Sequence, residues 1–316
     1  MRVILTGGAG FIGSNLVEAL LGRGHKVTVV DNLRGGRREF LAPYFAEKEF
    51  CFAEEDLLNL EPLTEIMTGQ DVVFHLAANS NILEGRHRSD IDLRLGTLAT
   101  YNVLEAMRRQ GVRQIVFASS SAIYGEPAVA PTPEDYGPLL PISLYGASKL
   151  ACEGLITAFC HNYDFQAFIF RFANICGRHG THGVIVDFIQ RLARNGERLE
   201  ILGDGRQAKP YLHVSECVAA ILYVWQRAQQ KVNYFNLGCE GATNTLQIAK
   251  FVMGAMALGP VDLSFTGGQR GWPGDVPQVR LDCRKLAQFG WEAKLTSDEA
   301  ACRAVTELVA ELTCRP

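Results

Sequence analysis

The 316-residue sequence lacks several things that would each announce a function class. Its nine cysteines are odd in number and contain no Cys-x-x-Cys pair. That argues against a disulfide framework or a zinc site, and for free thiols in a reducing cytoplasm. Neither sign of charge is in excess: the net charge of −3 leaves no electrostatic footprint for a nucleic acid or a membrane surface. No apolar run reaches the roughly 18 residues of a membrane span. The chain starts directly on a core-type strand, so no signal peptide is expected. Internal repeats, low-complexity tracts and long linkers are missing too. What remains is 47% hydrophobic and 21% charged residues, in a chain long enough for a large core and two lobes.

What is present begins in the first thirty-one residues. Arg2 to Leu5 is a short β-rich run that leads into Thr6-Gly7-Gly8-Ala9-Gly10-Phe11-Ile12-Gly13. Ile12, Leu16, Ala19 and Leu20 then recur at helical spacing, Gly22 and Gly24 stop the helix, and Lys26 to Val30 is a second buried strand ending in Asp31. In this order Gly7 allows a tight turn, Gly10 allows close approach of a pyrophosphate, and Gly13 lets the helix pack on the strand. The N–H groups of Phe11 and Ile12 open a helix whose positive end faces the phosphates. Asp31, eighteen residues after Gly13, is placed to accept hydrogen bonds from a ribose and so favours NAD over NADP. The basic loop Arg34-Gly35-Gly36-Arg37-Arg38 reads as solvated, since Asp31 would repel a 2′-phosphate.

Strands are expected at Phe50–Ala53, Asp71–Leu76, Gln114–Ala118 and Phe165–Phe172. Long helices are expected over Asp90–Gln110, with Leu98, Val103, Leu104 and Met107 on its apolar side, and from Ser143 to about His161. This alternation implies an α/β fold, a Rossmann-like doubly wound parallel sheet. Leu76-Ala77-Ala78 ends one strand with small residues that let the backbone pass beneath a cofactor, and His75 beside them is read as a core histidine. Beyond Asn174 the segments shorten and glycines become denser. The NAD-binding domain is therefore drawn at 1–173 plus about 210–238, and a smaller C-terminal substrate lobe at 174–209 and 239–316.

Tyr145 and Lys149 are four apart at the start of a helix and share a face. A neighbouring ammonium favours tyrosinate and is expected to lower the phenol pKa toward the working pH. Ser120 stands at the end of a parallel strand, where ligands bind in such sheets, and can bridge a substrate oxygen to Tyr145.

Thr6–Gly13, His75–Ala78, Ser119-Ser-Ser-Ala-Ile-Tyr-Gly125, Tyr145-Gly-Ala-Ser-Lys149, Arg171-Phe-Ala-Asn174, Gly203-Asp-Gly-Arg-Gln207, Tyr211-Leu-His-Val214 and Gly274-Asp-Val-Pro277 together resemble the NAD-dependent epimerase/dehydratase family, an extended branch of the short-chain dehydrogenases/reductases that acts on nucleotide sugars. The resemblance runs to about residue 290. It implies tightly bound NAD held by Gly7, Gly10, Phe11, Ile12, Gly13, Asp31, Asn32, Asp56, Leu57, Leu76, Ala77, Ala78, Tyr145 and Lys149. It implies catalysis by Ser120, Tyr145 and Lys149 on a UDP-sugar, with substrate contacts from Ser80, Ser121, Ala122, Asn174, Val184, Lys209, Arg270, Asp275 and Val279. It also implies a homodimer through a four-helix bundle supplied by residues 94–109 and 147–161. The shared reaction oxidises the sugar transiently at C4.

In the 4,6-dehydratases of this family the two residues after the catalytic Ser/Thr are Asp and Glu. Here they are Ser121 and Ala122, neither ionisable, which points to a UDP-hexose or UDP-N-acetylhexosamine 4-epimerase. Val279, small where a tyrosine would exclude an N-acetyl group, admits one. Other positions depart from the family: Leu93 replaces the usual Asn, Cys176 and Arg178 replace Tyr and Pro, and Lys209-Pro210 replaces Arg-Asp. An arginine- and alanine-rich, lysine-poor composition fits a GC-rich bacterial source with secondary metabolism, and there the chain also resembles a UDP-N-acetylglucosamine 5,6-dehydratase of nucleoside-antibiotic biosynthesis. A base for C5 would be needed in that case, with Cys176, His179 and His182 as candidates. A third reading, of another class, is a non-catalytic NAD-binding sensor.

Overall fold

A computed structural model describes residues 1–268 and 280–313. Two compact units partition the chain. The first comprises 1–125, 137–171 and 221–235, and the second comprises 126–136, 172–220 and the residues from 236 onward.

The first unit carries β1 (Arg2–Thr6), α1 (Phe11–Leu21), β2 (Lys26–Asp31), β3 (Phe50–Glu54), α2 (Leu60–Ile66), β4 (Val72–His75), α3 (Ala99–Gln110), β5 (Gln114–Ser120), α4 (Leu144–Tyr163) and β6 (Gln166–Phe172). With the later strand β11 (Val232–Leu237) these strands form a seven-stranded parallel sheet in the order β11-β6-β5-β4-β1-β2-β3. The order reverses between β1 and β4, and ligands bind at the C-terminal ends of strands at such a switch point. β4 is buried at all four positions and β6 at six of seven, as expected where both sheet faces are covered. Ile4, Val73, Ile115, Phe117 and Ile169 of the sheet pack with Val103, Leu104 and Met107 of α3 and Ile156 and Cys160 of α4.

The helix expected from Asp90 begins differently. Leu93–Leu98 is a π-helical turn, and the regular helix starts only at Ala99. A π turn adds a residue to the repeat and rotates the face that follows it. Val103, Leu104 and Met107 stay in the core, but Leu98 turns outward and is 45% exposed.

The second unit contains β7 (Asn174–Cys176), α5 (Val184–Arg194), β8 (Arg198–Ile201), β9 (Ala208–Lys209), β10 (Tyr211–His213), the start of α6 (Val214–Arg227), β12 (Thr243–Asn244), α7 (Thr245–Ala255), β13 (Asp262–Phe265), α8 (Arg284–Gln288) and α9 (Ser297–Thr313). Its strands pair two by two: β10 with β7, β12 with β9, β13 with β8. Its core is helical, with Phe188, Ile189 and Leu192 of α5, Ile248 and Val252 of α7, and Ala301, Ala304, Val305 and Leu308 of α9. No helix among the described residues is long and apolar enough to cross a membrane.

Candidate active site

The turn after β1 is built for close approach. Gly7 has φ +73°, and a Cβ there would lie 2.7 Å from the Ala77 nitrogen beyond β4. A Cβ on Gly13 would strike the Gly7 carbonyl and lie 2.7 Å from Gly8 Cα, so α1 rests directly on the turn. Gly10 caps α1 in an extended conformation, with no side chain accepting from the first turn of the helix. The helix therefore presents free donors and the positive end of its dipole. Leu76, Ala77 and Ala78 run half-buried past this turn, the Leu76 N–H donating to the Thr6 carbonyl at 3.1 Å.

Asp31 is buried at the end of β2. Its two oxygens accept from the Ala9 N–H at 3.0 Å and the Leu33 N–H at 2.9 Å. Burial pushes its pKa up, and these two bonds oppose the rise. Each oxygen keeps a lone pair for a ribose hydroxyl. Asn32 donates to Asp56 at 2.9 Å, Asp56 accepts from the Leu58 N–H at 2.9 Å, and buried Leu57 offers its carbonyl to Asn102 at 2.9 Å. The loop arginines are engaged elsewhere: Arg34 with Glu84 at 2.5 Å, Arg38 with Glu54 at 3.5 Å and over Phe45 at 4.9 Å. A cradle that side chains would fill, uncapped donors and an acid with spare acceptor capacity together fit NAD.

Ser120 ends β5 and caps the single 3₁₀ turn Ser121–Tyr124, its Oγ accepting the Ala122 N–H at 3.2 Å. The same hydroxyl lies close enough to the Tyr145 phenol to favour its ionised form. One turn along α4, Lys149 is 4% exposed. Its Nζ donates to the Ala118 carbonyl at 2.6 Å and lies 4.7 Å from the Phe117 ring and 5.8 Å from the Tyr145 ring. Ser120, Tyr145 and Lys149 are thus brought together. The expected effect of the ammonium on the phenol is not what the free protein shows. Desolvation pushes Tyr145 up to about 12, against the pull of the nearby Ser120 hydroxyl and with a contribution from the Asp92 charge. Desolvation also pulls Lys149 down to about 8. The ammonium is held by the Ala118 carbonyl, and burial decides where the phenol titrates.

Motif reading missed what stands behind this trio. Ser119 donates to Glu153 at 2.5 Å, Arg171 grips the same carboxylate at 2.8 and 3.1 Å, and Arg171 also donates to the Tyr124 hydroxyl at 2.9 Å. The ion pair is buried, with side chains 8% and 9% exposed. The available signal was Glu153 four residues after Lys149 on the buried side of α4, and an arginine inside an otherwise apolar strand. Asp92, also missed, is buried beside the π turn and accepts from Asn79 at 3.1 Å. His75 is fully buried between Thr6 at 2.6 Å and Thr100 at 2.9 Å, and burial pulls its pKa to about 3, which suits the core role expected of it.

Of the substrate residues, Ser80 is exposed near Gly35, and Ser121 and Ala122 are half-buried next to Ser120. Asn174 opens β7, Val184 opens α5 and Lys209 lies on β9 opposite Thr243, all in the second unit. Arg270, Asp275 and Val279 lie outside the described residues. Cys176 is a poor base: its thiol sits 3.5 Å from the Ala300 carbonyl, and burial drives its pKa far above the usual thiol range. The Arg178 N–H donates to Glu307 at 3.1 Å and the His179 N–H to Glu311 at 3.0 Å, so α9 holds this loop.

Residues 3–238 match the model of the NAD dependent epimerase/dehydratase family. The chain belongs to that family. It is 32% identical over 313 residues to the UDP-glucose 4-epimerase of Mycolicibacterium smegmatis, across 96% of this chain and 97% of that one. A crystal structure of a UDP-galactose 4-epimerase superposes with a TM-score of 0.87 at 37% identity, covering 99% of this chain and all of the other. The UDP-N-acetylglucosamine 4-epimerase of Methanobrevibacter ruminantium M1, solved with UDP-N-acetylmuramic acid, also scores 0.87, at 26% identity over 98% and 99% of the two chains. This epimerase/dehydratase family member is an NAD-dependent enzyme that modifies nucleotide sugars.

Proposed function

We propose that the enzyme is a UDP-hexose or UDP-N-acetylhexosamine 4-epimerase. The observation that carries this reading is the end of β5: Ser120 is followed by Ser121 and Ala122, neither of which has a group that ionises near neutral pH to serve as acid or base in an elimination. Relatives of matching length that act as 4-epimerases support it. Gly7, Gly10, Phe11, Ile12, Gly13, Asp31, Asn32, Asp56, Leu57, Leu76, Ala77, Ala78, Tyr145 and Lys149 are the residues that would hold NAD. The cofactor's chemistry is to accept a hydride from C4 and give it back, so it is retained through each turnover. Tyr145 takes the proton of the C4 hydroxyl. Ser120 bonds the same oxygen and fixes its distance from the phenol. Lys149 is the cation at hand to bring the phenol pKa down from about 12 in the free protein. Ser80, Ser121, Ala122, Asn174, Val184, Lys209, Arg270, Asp275 and Val279 would contact the UDP-sugar.

Proton NMR of the purified enzyme with UDP-glucose or UDP-N-acetylglucosamine in deuterated water tests this. Epimerisation gives a new H4 pattern with no deuterium at C5. Vinyl signals with loss of H5 would overturn it in favour of 5,6-dehydration, and inertness toward every nucleotide sugar would favour the sensor.

The same proposal includes a homodimer through residues 94–109 and 147–161. Along α4 the exposed positions Ala147, Ala151, Gly154 and Ala158 form a small apolar stripe, and Tyr101 of α3 is 41% exposed. The charged residues of α4, Lys149 and Glu153, both point into the core. Light scattering should give twice the chain mass, and Ala151→Arg should halve it.

A further inference from the structure

Asp92 is a buried acid that the proposed reaction leaves without a role. It stands at the head of the π turn Leu93–Leu98 and is 2% exposed. Its Oδ1 accepts from Asn79, but its Oδ2 is buried with no hydrogen-bond partner among the described residues. An orphaned carboxylate oxygen in a folded interior is costly and rare, and calls for a compensating charge or a function.

The surroundings supply that charge. A Cβ on Gly85 would lie 2.8 Å from Oδ2 and 3.7 Å from Leu144 Cβ, so the carboxylate sits where the glycine gives it room against the start of α4. The Asp92 carbonyl accepts from Ser148 Oγ at 2.7 Å, and Ser148 in turn contacts Thr97 Oγ1 at 3.0 Å. Leu144 immediately precedes Tyr145, and Ser148 immediately precedes Lys149. The acid is therefore seated against the turn of α4 that presents the phenol and the ammonium. Within electrostatic reach of it are Lys149 and Tyr145 from α4 and Glu84 from the 3₁₀ turn Ile82–Arg86, itself paired with Arg34 and Arg88, and Asn79 from the loop after β4 bonds it directly.

We propose that Asp92 is the buried counter-charge of Lys149, a positioning residue that keeps the ammonium charged beside the Tyr145 phenol. The proposal rests on the reading of Tyr145 as the base. A carboxylate here attracts the Lys149 proton and opposes loss of the Tyr145 proton, so it keeps the ammonium charged in a site whose burial pulls the lysine toward neutrality. Burial raises the acid's own pKa, with the Asn79 bond and Lys149 acting against the rise and Glu84 with it.

The test uses the enzyme as purified, with its bound NAD. Tyrosinate absorbance is titrated in wild type and in Asp92→Asn, each corrected by its Tyr145→Phe counterpart. The midpoint of Tyr145 should fall by about 1 pH unit in Asp92→Asn, and both limbs of the pH profile of kcat/KM should move toward acid. An unmoved midpoint overturns the proposal. A variant that does not fold does not rescue it, because a carbon-13 NMR titration of aspartate-labelled wild type must show Asp92 ionised at neutral pH, and a neutral acid there overturns it as well. If Tyr145→Phe turns over normally, the base assignment itself has failed. If Tyr145→Phe is inactive while Asp92→Asn leaves the midpoint in place, the counter-charge alone has failed.

Discussion

Within the first unit the glycine turn and its acid, Gly7 to Asp31, lie close together in the chain and are joined by local bonds, the Gly10 N–H to Gly7 and the Ala9 N–H to Asp31, with Ala77 reaching them from far along the chain. Within the second unit the loop Gly177–Gly180 is held instead by Glu307 and Glu311, 129 and 132 residues further on. β10 is likewise fixed from a distance, the Tyr211 N–H donating to Ser297 at 3.0 Å. One unit is specified by short motifs and the other by its last helix. Loss of the Glu307 carboxylate on α9 removes at once the partner of the Arg178 N–H, of His213 and of Arg303.

Five experiments press on that contrast. The largest effect belongs to Tyr145→Phe, which removes the phenolic proton acceptor. Turnover should fall by about 10³-fold or more, with NAD content and melting temperature unchanged. Retained turnover would move the chemistry out of the first unit. Next comes Glu153→Gln, which leaves Arg171 buried without its countercharge at a cost of about 3–5 kcal/mol. Denaturant titration should show that loss, and a loss below about 1 kcal/mol would mean that the network does not brace the site.

In the second unit, Glu307→Gln weakens the bonds to Arg178, His213 and Arg303 at once. A loss of about 1–2 kcal/mol is expected. Wild-type stability should also depend on pH in a defined direction. Burial holds His213 below its ordinary 6.5, with Glu307 opposing, so the unfolded chain binds the extra proton. That contribution is complete above 6.5 and is lost as pH falls through 6.5 toward the folded value. Burial tends to raise Glu307, but His213, Arg303 and the Arg178 N–H outweigh it and hold the carboxyl below its ordinary 4.5. Its contribution is lost lower still, as pH falls through the folded pKa. Melting temperatures measured from neutral pH downward check this, and a flat profile would contradict it. The smallest effect is Arg34→Ala. Its exposed pair with Glu84 should contribute under about 1 kcal/mol, visible, if at all, only at low salt.

The fold and the cofactor cradle were largely legible in the sequence because their signals are short-range. A glycine turn needs particular glycines, and a Tyr-x-x-x-Lys pair lies on one helical face whatever surrounds it. Glu153, Arg171 and Asp92 were not legible in the same way. Arg171 finds Glu153 across 18 residues and Tyr124 across 47, and neither distance leaves a periodic trace. Asp92 sits two positions after Asp90 in what reads as one helical run, yet Asp90 is exposed and Asp92 is buried. The ionisation of Tyr145 was misjudged for a related reason: spacing shows that a lysine is near, but not that its Nζ is bonded to Ala118 or that burial dominates.

The π turn at Leu93–Leu98 has a consequence for how this protein can change over generations. A helix that carries one residue more than its repeat is a length polymorphism held in place by its neighbours. Deleting a single codon there would let the run wind as an ordinary α-helix. That would swing Leu98 back toward the core and carry Asp92 about a third of a turn away from α4. Most helices answer a one-codon deletion by losing their packed face. This one would answer by exchanging which side chain faces α4, a step in sequence space that no single substitution reproduces.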